Sequence, residues 1–371
     1  MNKGYIFIAG PSLSRVSISY RRVHLLKYII NKSSGEKIIW VYFENSSIFR
    51  CGKWSERNID IDGHNVVSIR VSDWKYLLSY SQYLQIFFLR KLIKRLVTVD
   101  GARLVYTLPR FATLASRRKK VPLSYDCTDN WVGSDVSKSL RYFTDRLIMK
   151  SELTIARNAN VVFASSPFLF RKMSEINANT LSVEHGITPS NSVTQSMKSY
   201  SSEISKNFCY VGSVSRNKID LELLFRLFRS KCEWDLLIIG EIHGDVLRTS
   251  ICKRLLNLDN VKWTGFVRPD VIASLLVDRY IGLLPYHKNE FTKGIFPLKL
   301  KEYISMGLRV VSVNLELPDR FSDVVLSLNE DGATILASIE NFIDNSKHCD
   351  FDLVAFRNGA SWDSQFDLMK I

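Results

Sequence analysis

The stretch FTKGIFPLKLKEYISMGLRVV, residues 291–311, predicts a short helix that leads into a buried strand. Pro297 suits the first helical position, because its missing N–H is not needed there. Gly307 ends the helix, since glycine adopts the left-handed conformation of a helix cap at little cost. The valines at 310, 311 and 313 begin the next strand. An earlier apolar run, 281–284, completes a strand–helix–strand unit.

Lys299 and Glu302 share one face of this helix, because they lie three residues apart. The helix starts at the carboxyl end of a parallel strand, and open α/β sheets bind their ligands at that end. The two side chains are therefore candidates for ligand binding. A surface ion pair of little energetic consequence is the alternative.

The order of a strand, Pro285-Tyr286, a short loop and PLKxxEYxxxGxxVV resembles the donor-binding block of the two-Rossmann, or GT-B type, glycosyltransferases. Among bacterial polysaccharide enzymes, it is similar to the teichuronic acid glycosyltransferases and the xanthan glucuronosyltransferase. The resemblance implies that Glu302 binds the ribose hydroxyls of a nucleotide, for which a carboxylate is well suited. Many retaining members carry another glutamate eight positions earlier. Gly294 stands there in this chain, which favours inversion.

Two further segments extend the resemblance to the donor. The loop after the strand at 208–211 contains Gly212, Arg216 and Lys218, and in the family this loop meets the donor diphosphate. Its cations can neutralise the leaving nucleotide, although a solvated basic loop is the alternative. Residues 260–267, NVKWTGFV, resemble a turn whose backbone contacts the base. The predicted donor-binding residues are Gly212, Arg216, Lys218, Phe266, Tyr286, Lys299 and Glu302.

The length of 371 residues predicts two domains. Short apolar runs alternate with helical stretches in the second half, as in a parallel, doubly wound sheet. Together with the resemblance, this predicts an α/β fold with two Rossmann-like doubly wound domains facing a central cleft. We predict an acceptor domain over 1–187, a linker over 188–206, a nucleotide-sugar domain over 207–355, and a C-terminal helix over 356–371 that crosses back to the first domain.

The acceptor side has two candidate residues. Gly10 follows the strand predicted over 5–9, and a glycine turn there lets an acceptor or a phosphate approach the backbone. A plain tight turn is the alternative. His185 lies in LSVEHGI, residues 181–187, which resembles the family's closing strand. It is either a substrate contact or a hydrogen-bonded structural histidine.

The segment YDCTDNW, residues 125–131, supplies the candidate catalytic carboxylates. We predict a strand over 121–125, so Asp126 and Asp129 lie just beyond its end, where a general base belongs. Asp129 is preferred, because it lies further from the strand. Helix capping or pairing with loop N–H groups is the competing role.

The sequence predicts neither a metal ion nor a cofactor. Asp60-Ile61-Asp62 matches the metal-binding D-x-D of the other large glycosyltransferase class, but it adjoins the turn signal Asp62-Gly63. The six cysteines are scattered without a close pair, as expected for buried thiols of a cytoplasmic protein. The resemblance to the GT-B family implies that cations of the loop at 212–218 take the place of the metal ion that other transferases use.

The net charge of +14 is confined to the first half of the chain. Residues 1–187 hold 29 Lys and Arg against 14 Asp and Glu, whereas residues 188–371 hold 22 against 23. This asymmetry predicts an anionic partner for the first half. The predicted helix over 83–97 places its basic residues on one arc, either as a solvated face or against anionic lipid headgroups. No nucleic-acid motif is present, so we do not predict a nucleic-acid partner.

We therefore predict a sugar transferase of bacterial surface polysaccharide synthesis, such as capsule or exopolysaccharide. Its donor is a nucleotide sugar, with UDP taken from the resemblance, and its acceptor is a glycan or a lipid-diphosphate-linked glycan. No segment is apolar enough for a membrane span and no signal peptide is visible. These observations predict a cytoplasmic protein, with a peripheral position on the inner face of the membrane as an option. A non-hydrolysing sugar-nucleotide epimerase and a non-catalytic binding protein of the same fold remain alternatives.

Overall fold

A computed structural model describes residues 4–9, 12–13, 21–32, 35–75, 77–99, 101–117, 121–131, 141–188, 206–329, 333–345 and 351–370. Contacts group the chain into two compact units. The first contains Met1–Glu184 together with Gln365–Ile371, and the second contains His185–Ser364. Gly10 and most of the linker predicted over 188–206 lie outside the described residues.

The first unit is built on a largely parallel sheet. Its strands are β1 (Gly4–Ile8), β2 (Lys37–Asn45), β3 (Trp54–Ile61), β4 (His64–Asp73), β5 (Ala102–Tyr106), β6 (Leu123–Cys127), β7 (Val161–Ala164) and β8 (Thr180–Ser182). Their spatial order is β3–β4–β2–β1–β5–β6–β7–β8, and β3 pairs antiparallel with β4. The β3–β4 hairpin turns at Asp62-Gly63, as the sequence predicted, and Asp60 accepts a hydrogen bond from the Gly63 N–H at 3.2 Å.

The helices of the first unit pack on this sheet. They are α1 (Arg21–Lys32), α2 (Leu77–Tyr80), α3 (Gln82–Phe88), α4 (Arg90–Val97), α5 (Ala112–Arg117), α6 (Arg141–Asn158) and α7 (Pro167–Ser174). The single helix predicted over 83–97 is therefore divided at Leu89, whose φ of −110° and ψ of 16° depart from helical values. Leu89, Leu92 and Leu96 are buried in the core, as the amphipathic pattern predicted.

The second unit is built on a parallel sheet. Its strands are β9 (Asn207–Val211), β10 (Asp235–Ile239), β11 (Val261–Trp263), β12 (Ile281–Pro285), β13 (Arg309–Val313) and β14 (Val325–Leu328). The order is β11–β10–β9–β12–β13–β14, with every recorded pairing parallel. In this doubly wound order, the strands are added towards one edge of the sheet from β9 to β11 and towards the other edge from β12 to β14. The strand order therefore switches between β9 and β12, and ligands bind at such a switch point.

Helices accompany these strands as the alternating pattern predicted. They are α8 (Leu221–Ser230), α9 (Gly244–Leu247), α10 (Ser250–Leu256), α11 (Pro269–Leu275), α12 (Leu298–Ser305), α13 (Ala333–Asp344), α14 (Leu353–Gly359) and α15 (Trp362–Asp367). Pro297 caps α12 instead of occupying its first helical position, and Gly307 follows it with φ of 76°. The helix was therefore predicted in the right place, but its predicted first residue, Pro297, lies one position before the observed first residue, Leu298.

Candidate functional site

The loop that follows β9 is held firmly at the switch point of the second unit. The Gly212 N–H donates to the Ile239 carbonyl at 2.9 Å, which joins the loop to the end of β10. The Tyr210 hydroxyl donates to the Ser213 carbonyl at 3.0 Å. Because backbone groups form this edge, a ligand can approach main-chain N–H donors closely.

Gly240 extends the same edge to the next strand. Its φ is 134°, and a Cβ added there would lie 2.3 Å from the Gly212 carbonyl oxygen. No side chain fits in that space, so glycine is required. The Gly240 N–H donates to the Gly265 carbonyl at 2.9 Å, and Trp263 Nε1 donates to the Gly240 carbonyl at 2.8 Å. The turns after β9, β10 and β11 thus stack into one continuous rim.

Helix α12 carries the predicted ribose-binding glutamate. Lys299 Nζ and Glu302 Oε2 form an ion pair three residues apart, and both side chains are partly exposed. The next residue, Tyr303, is buried, and its hydroxyl accepts a hydrogen bond from the Val211 N–H at 2.7 Å. This bond ties the helix that carries Glu302 to the residue just before Gly212.

The predicted residues Lys218 and Tyr286 also come together. Lys218 Nζ lies 5.5 Å from the centre of the buried Tyr286 ring, at cation–π distance. The two backbone segments beside them are hydrogen-bonded to each other. Ile219 forms an antiparallel β-bridge with Tyr286, and the His287 N–H donates to the Lys218 carbonyl at 3.0 Å. Tyr286 therefore positions a cation and does not itself face solvent.

Arg216 and Phe266 are exposed on two of these loops. Arg216 extends from the loop after β9, and Phe266 follows Gly265 with 77% of its surface exposed. An aromatic ring this exposed can stack on a planar base. The described part of the second unit thus gathers the seven predicted donor residues on loops and a helix start around the carboxyl edge of one sheet.

Sequence reasoning missed a polar pair on the same rim. Ser213 Oγ lies 2.8 Å from His243 Nε2, and both residues follow strand ends, β9 and β10 respectively. A hydroxyl and an imidazole on neighbouring turns can both bind a phosphate oxygen. The signal in the sequence was the position of His243, three residues beyond Gly240.

In the first unit, Asp126 is buried in an ion pair with Arg21. Arg21 Nε and Nη2 each lie 2.9 Å from an Asp126 carboxylate oxygen, and Arg21 Nη1 donates to the Glu184 carbonyl. The sequence analysis predicted Asp126 just beyond the end of its strand, and this prediction was wrong. Strand β6 extends to Cys127, so Asp126 lies within the strand. The sequence signal for Arg21 was its spacing of four from Leu25, which is also buried on α1.

A second buried group holds the residues around Asp126. Glu152 accepts a hydrogen bond from the Tyr125 hydroxyl at 3.0 Å, and its other oxygen lies 2.7 Å from Lys172 Nζ. Lys172 also donates to Asn130 Oδ1 at 3.1 Å. Burial raises the pKa of the Tyr125 phenol and of the Cys127 thiol, so both stay protonated beside Glu152.

Asp129 is the partly exposed carboxylate of the segment 125–131. Thr128 Oγ1 donates to Asp129 Oδ2 at 3.0 Å, and the residues on either side of it, Thr128 and Asn130, are buried. The segment is anchored on both sides of Asp129, so Asp129 is the carboxylate of this segment that solvent can reach. Asp126 is already fully engaged with Arg21.

His185 lies at the start of the second unit, partly buried. Its ring meets Trp362 edge-on, with 6.2 Å between ring centres. Gly186 beside it has no room for a side chain, since a Cβ there would lie 2.4 Å from the Trp362 Cα. A substrate contact by His185 remains a prediction, and Gly10 lies outside the described residues.

No group of three or more His, Cys, Asp or Glu side chains among the described residues is placed to hold a metal ion. Asp62, from the D-x-D triplet, pairs with Lys27 at 2.9 Å. Among the described helices, none combines the length and the apolar character that crossing a bilayer requires.

Comparison with known proteins connects these features to a family. The family model for glycosyl transferases group 1 matches residues 205–345, which contain the rim and α12. The chain is 25% identical over 336 residues to TuaH of Bacillus subtilis (strain 168), which is named as a teichuronic acid biosynthesis glycosyltransferase. That match covers 84% of this chain and 81% of TuaH.

Solved structures agree on the fold. The lipopolysaccharide outer core galactosyltransferase WaaB matches with a TM-score of 0.65 and 14% identity, covering 99% of this chain and all of WaaB. Anabaena HepE, solved in complex with UDP, matches with a TM-score of 0.64 and 12% identity, covering 99% of this chain and 98% of HepE. These matches confirm the predicted GT-B class of fold. The match of residues 205–345 to the family model and the similarity to TuaH show a glycosyltransferase that is similar to a bacterial polysaccharide glycosyltransferase.

Proposed function

We propose that the protein transfers a sugar from a UDP-sugar to a hydroxyl of a glycan or lipid-linked acceptor during synthesis of a bacterial surface polysaccharide. The observation that carries this proposal is the 2.7 Å hydrogen bond between the Val211 N–H and the Tyr303 hydroxyl. It fixes Glu302 on α12 relative to the loop that begins at Gly212. Two parts of a nucleotide, its ribose and its diphosphate, can then be bound by one rigid frame.

Each part of the donor has its own binding groups. Glu302 accepts hydrogen bonds from the two ribose hydroxyls, and Lys299 forms an ion pair with the Glu302 carboxylate. Gly212, Arg216 and Lys218 bind the diphosphate, where the two cations balance the charge of the departing UDP. Phe266 stacks on the base. The UDP bound by HepE in its own structure supports this choice of nucleotide.

Asp129 acts as the general base in this proposal. Its carboxylate takes the proton from the acceptor hydroxyl, whose oxygen then forms a bond to the anomeric carbon of the sugar. The bond from that carbon to the diphosphate breaks at the same time, and UDP leaves with the electron pair. The sugar configuration inverts, since Gly294 stands where many retaining relatives in the resemblance carry a glutamate. Asp126 positions the segment through Arg21 and does not exchange a proton with the substrate.

The first unit presents the acceptor in this proposal. The excess of Lys and Arg over residues 1–187 suits an acceptor that carries a lipid-linked diphosphate, and it also suits an anionic membrane surface. The protein accordingly works at the inner face of the cell membrane as a peripheral enzyme. TuaH, named for teichuronic acid biosynthesis, supports the assignment to polysaccharide synthesis.

Titration calorimetry with UDP tests the donor site. We expect Glu302→Ala to weaken UDP binding by roughly tenfold or more, because two charge-assisted hydrogen bonds are lost. Glu340→Ala is the matched control, since Glu340 is also a partly exposed glutamate of the second unit in an ion pair, with Lys231. Unchanged UDP affinity in Glu302→Ala, or no UDP binding by the wild-type protein, would contradict the proposal.

A further inference from the structure

Exposed aromatic side chains are concentrated in two neighbouring segments of the first unit. Phe49, in the short turn Ile48–Arg50, is 89% exposed. On α3, Tyr83 and Phe87 are each 78% exposed, and Ile86 and Phe88 are also exposed. Large apolar side chains grouped in this way on a surface mark an interaction site.

The two segments form one surface. The turn that follows Ile48–Arg50 packs directly on α3, because a Cβ added to Gly52 would lie 2.7 Å from the Phe88 Cβ. Phe88 in turn meets Phe87 edge-on, with 4.9 Å between ring centres. We name this surface the aromatic edge, and it consists of Ile48, Phe49, Tyr83, Ile86, Phe87 and Phe88.

A basic stripe continues the aromatic edge along the next helix. Positions 83, 86, 87, 90, 91 and 94 recur at helical spacing, so they follow one face. The hydrogen-bond ladder continues across the break, because the Leu89 N–H donates to the Gln85 carbonyl and the Ile93 N–H donates to the Leu89 carbonyl, each at 2.8 Å. The exposed apolar residues therefore lie on α3, and the basic residues of the same face lie on α4.

Within the described residues, the basic stripe has no acidic partner. Arg90, Lys91 and Lys94 are exposed, and none of them pairs with a described Asp or Glu. Arg95, beside them, does pair with Glu56. A further cation, Lys150, has its Nζ 5.7 Å from the centre of the Tyr83 ring. The aromatic edge is thus bordered by positive charge for which the described part of the chain supplies no acidic partner.

An anionic bilayer matches both features. Amphipathic helical segments lie at a membrane interface with their apolar residues buried about 5–10 Å into the boundary between headgroups and acyl chains. Aromatic rings could therefore reach the acyl boundary while the basic side chains meet lipid phosphates. A protein partner matches less well, because lysine is depleted in the cores of protein interfaces.

We infer that the aromatic edge inserts into the headgroup boundary of an anionic membrane, with the basic stripe bound to the lipid phosphates. This inference rests on the membrane partner of the proposed function and names the residues that engage it. Binding then has two separable parts. The aromatic part resists salt, whereas the basic part is screened as the ionic strength rises.

Vesicle co-sedimentation of the full chain tests this assignment. The vesicles contain phosphatidylcholine alone or phosphatidylcholine with phosphatidylglycerol, at low and high salt. We expect Phe49→Ser with Phe87→Ser to weaken binding to anionic vesicles by roughly tenfold or more at both salt concentrations. Lys91→Gln with Lys94→Gln should weaken binding mainly at low salt. The matched control is Phe170→Ser with Leu181→Ser, two exposed apolar residues of the same unit near the opposite edge strand, β8, and it should bind as the wild type does.

Several outcomes overturn the inference. Wild-type protein that stays in solution with anionic vesicles, or binds neutral vesicles equally at low salt, removes the assignment. So does a concentration-dependent dimer in sedimentation velocity that Phe49→Ser with Phe87→Ser abolishes, since the surface would then bind a second copy. Calorimetry with UDP on the wild-type protein separates the two proposals. Normal UDP affinity without vesicle binding refutes the membrane surface alone, whereas vesicle binding without UDP affinity refutes the donor site alone.

Discussion

The carboxyl edges of the two sheets are built in opposite ways. In the first unit, the end of β6 and the segment after it are fixed by buried charges, with Asp126 paired to Arg21 and Glu152 paired to Lys172. In the second unit, the edge consists of backbone turns, and its charged pair, Lys299 with Glu302, is partly exposed. Buried ion pairs contribute little net stability but are costly to break, whereas an exposed pair can exchange its partner for a ligand. The first edge is therefore preorganised by charge, and the second is open for binding.

We expect the largest loss of stability from breaking the buried ion pair between Asp126 and Arg21. Asp126→Asn leaves the Arg21 guanidinium buried without a counter-charge, so we expect the free energy of unfolding to fall by about 3–5 kcal/mol. Chemical denaturation measures this loss. Asp129→Asn is the control, because Asp129 is partly exposed and its recorded hydrogen bond comes from the neighbouring Thr128.

A small stability change in Asp126→Asn, similar to that in Asp129→Asn, would show that the first edge is not held by charge. The pair of variants also guides any activity assay. Loss of turnover in Asp126→Asn could follow from unfolding, whereas loss in a stably folded Asp129→Asn reports on the reaction itself. A non-catalytic binding protein would keep its function in Asp129→Asn.

The second edge can be disturbed without touching any charge. Gly282 in β12 faces the buried Tyr303 ring, and a Cβ there would lie 2.3 Å from the Tyr303 Cδ2. We expect Gly282→Ala to destabilise the protein by about 1–3 kcal/mol through overpacking. It should also weaken UDP binding, because the displaced Tyr303 hydroxyl can no longer hold the Val211 N–H.

Calorimetry and denaturation on the same preparation check both parts of this prediction. The control is Gly359→Ala, since a Cβ at Gly359 meets no atom within 4 Å. It should leave UDP affinity unchanged and stability equal or slightly higher, as alanine favours a helix over glycine. If Gly282→Ala loses stability but keeps its full UDP affinity, Tyr303 does not couple the helix to the loop.

The same contrast explains what the sequence could predict. The strands predicted over 208–211 and 281–284 were placed within one residue at each end, because strands buried on both faces are continuous apolar runs. Those runs also reveal where strands end, so Gly212 and Glu302 could be assigned to the carboxyl edge. Local pattern was sufficient there, since each feature depends on residues nearby in the chain.

Ion pairs between residues far apart in the chain could not be predicted from local sequence patterns. Asp126 was expected beyond the end of its strand, because the strand was predicted to end at residue 125, whereas β6 extends to Cys127. The ion-pair partner of Asp126, Arg21, lies 105 residues away, and the sequence does not specify which arginine it is. The exposed aromatic residues of α3 were likewise predicted only as part of an amphipathic helix, because exposure is a property of the folded surface.

The smallest change in stability is expected on helix α1. This helix contacts the buried carboxylate of Asp126 near its start and the exposed carboxylate of Asp367 further along. Arg21 binds Asp126, and seven residues later the Tyr28 hydroxyl donates to Asp367 Oδ1 at 2.7 Å. This hydrogen bond, with help from Lys32, lowers the pKa of Asp367 below its ordinary value. Because the lowered pKa belongs to the folded state, the stabilisation is complete above the ordinary aspartate pKa of about 3.9. It is lost as the pH falls through the lowered value.

We expect Tyr28→Phe to return the pKa of Asp367 towards its ordinary value, and to lower stability only slightly at neutral pH, since the carboxylate is exposed. Carbon-detected NMR titration of the carboxyl groups measures the change. Asp270 is the internal control, because Arg268 lowers its pKa and Tyr28 plays no part there. A shift at Asp367 together with only a slight stability loss would show that the same helix tolerates a change at its exposed carboxylate and not at its buried one. A loss as large as that of Asp126→Asn would mean that burial does not set the difference between the two ends.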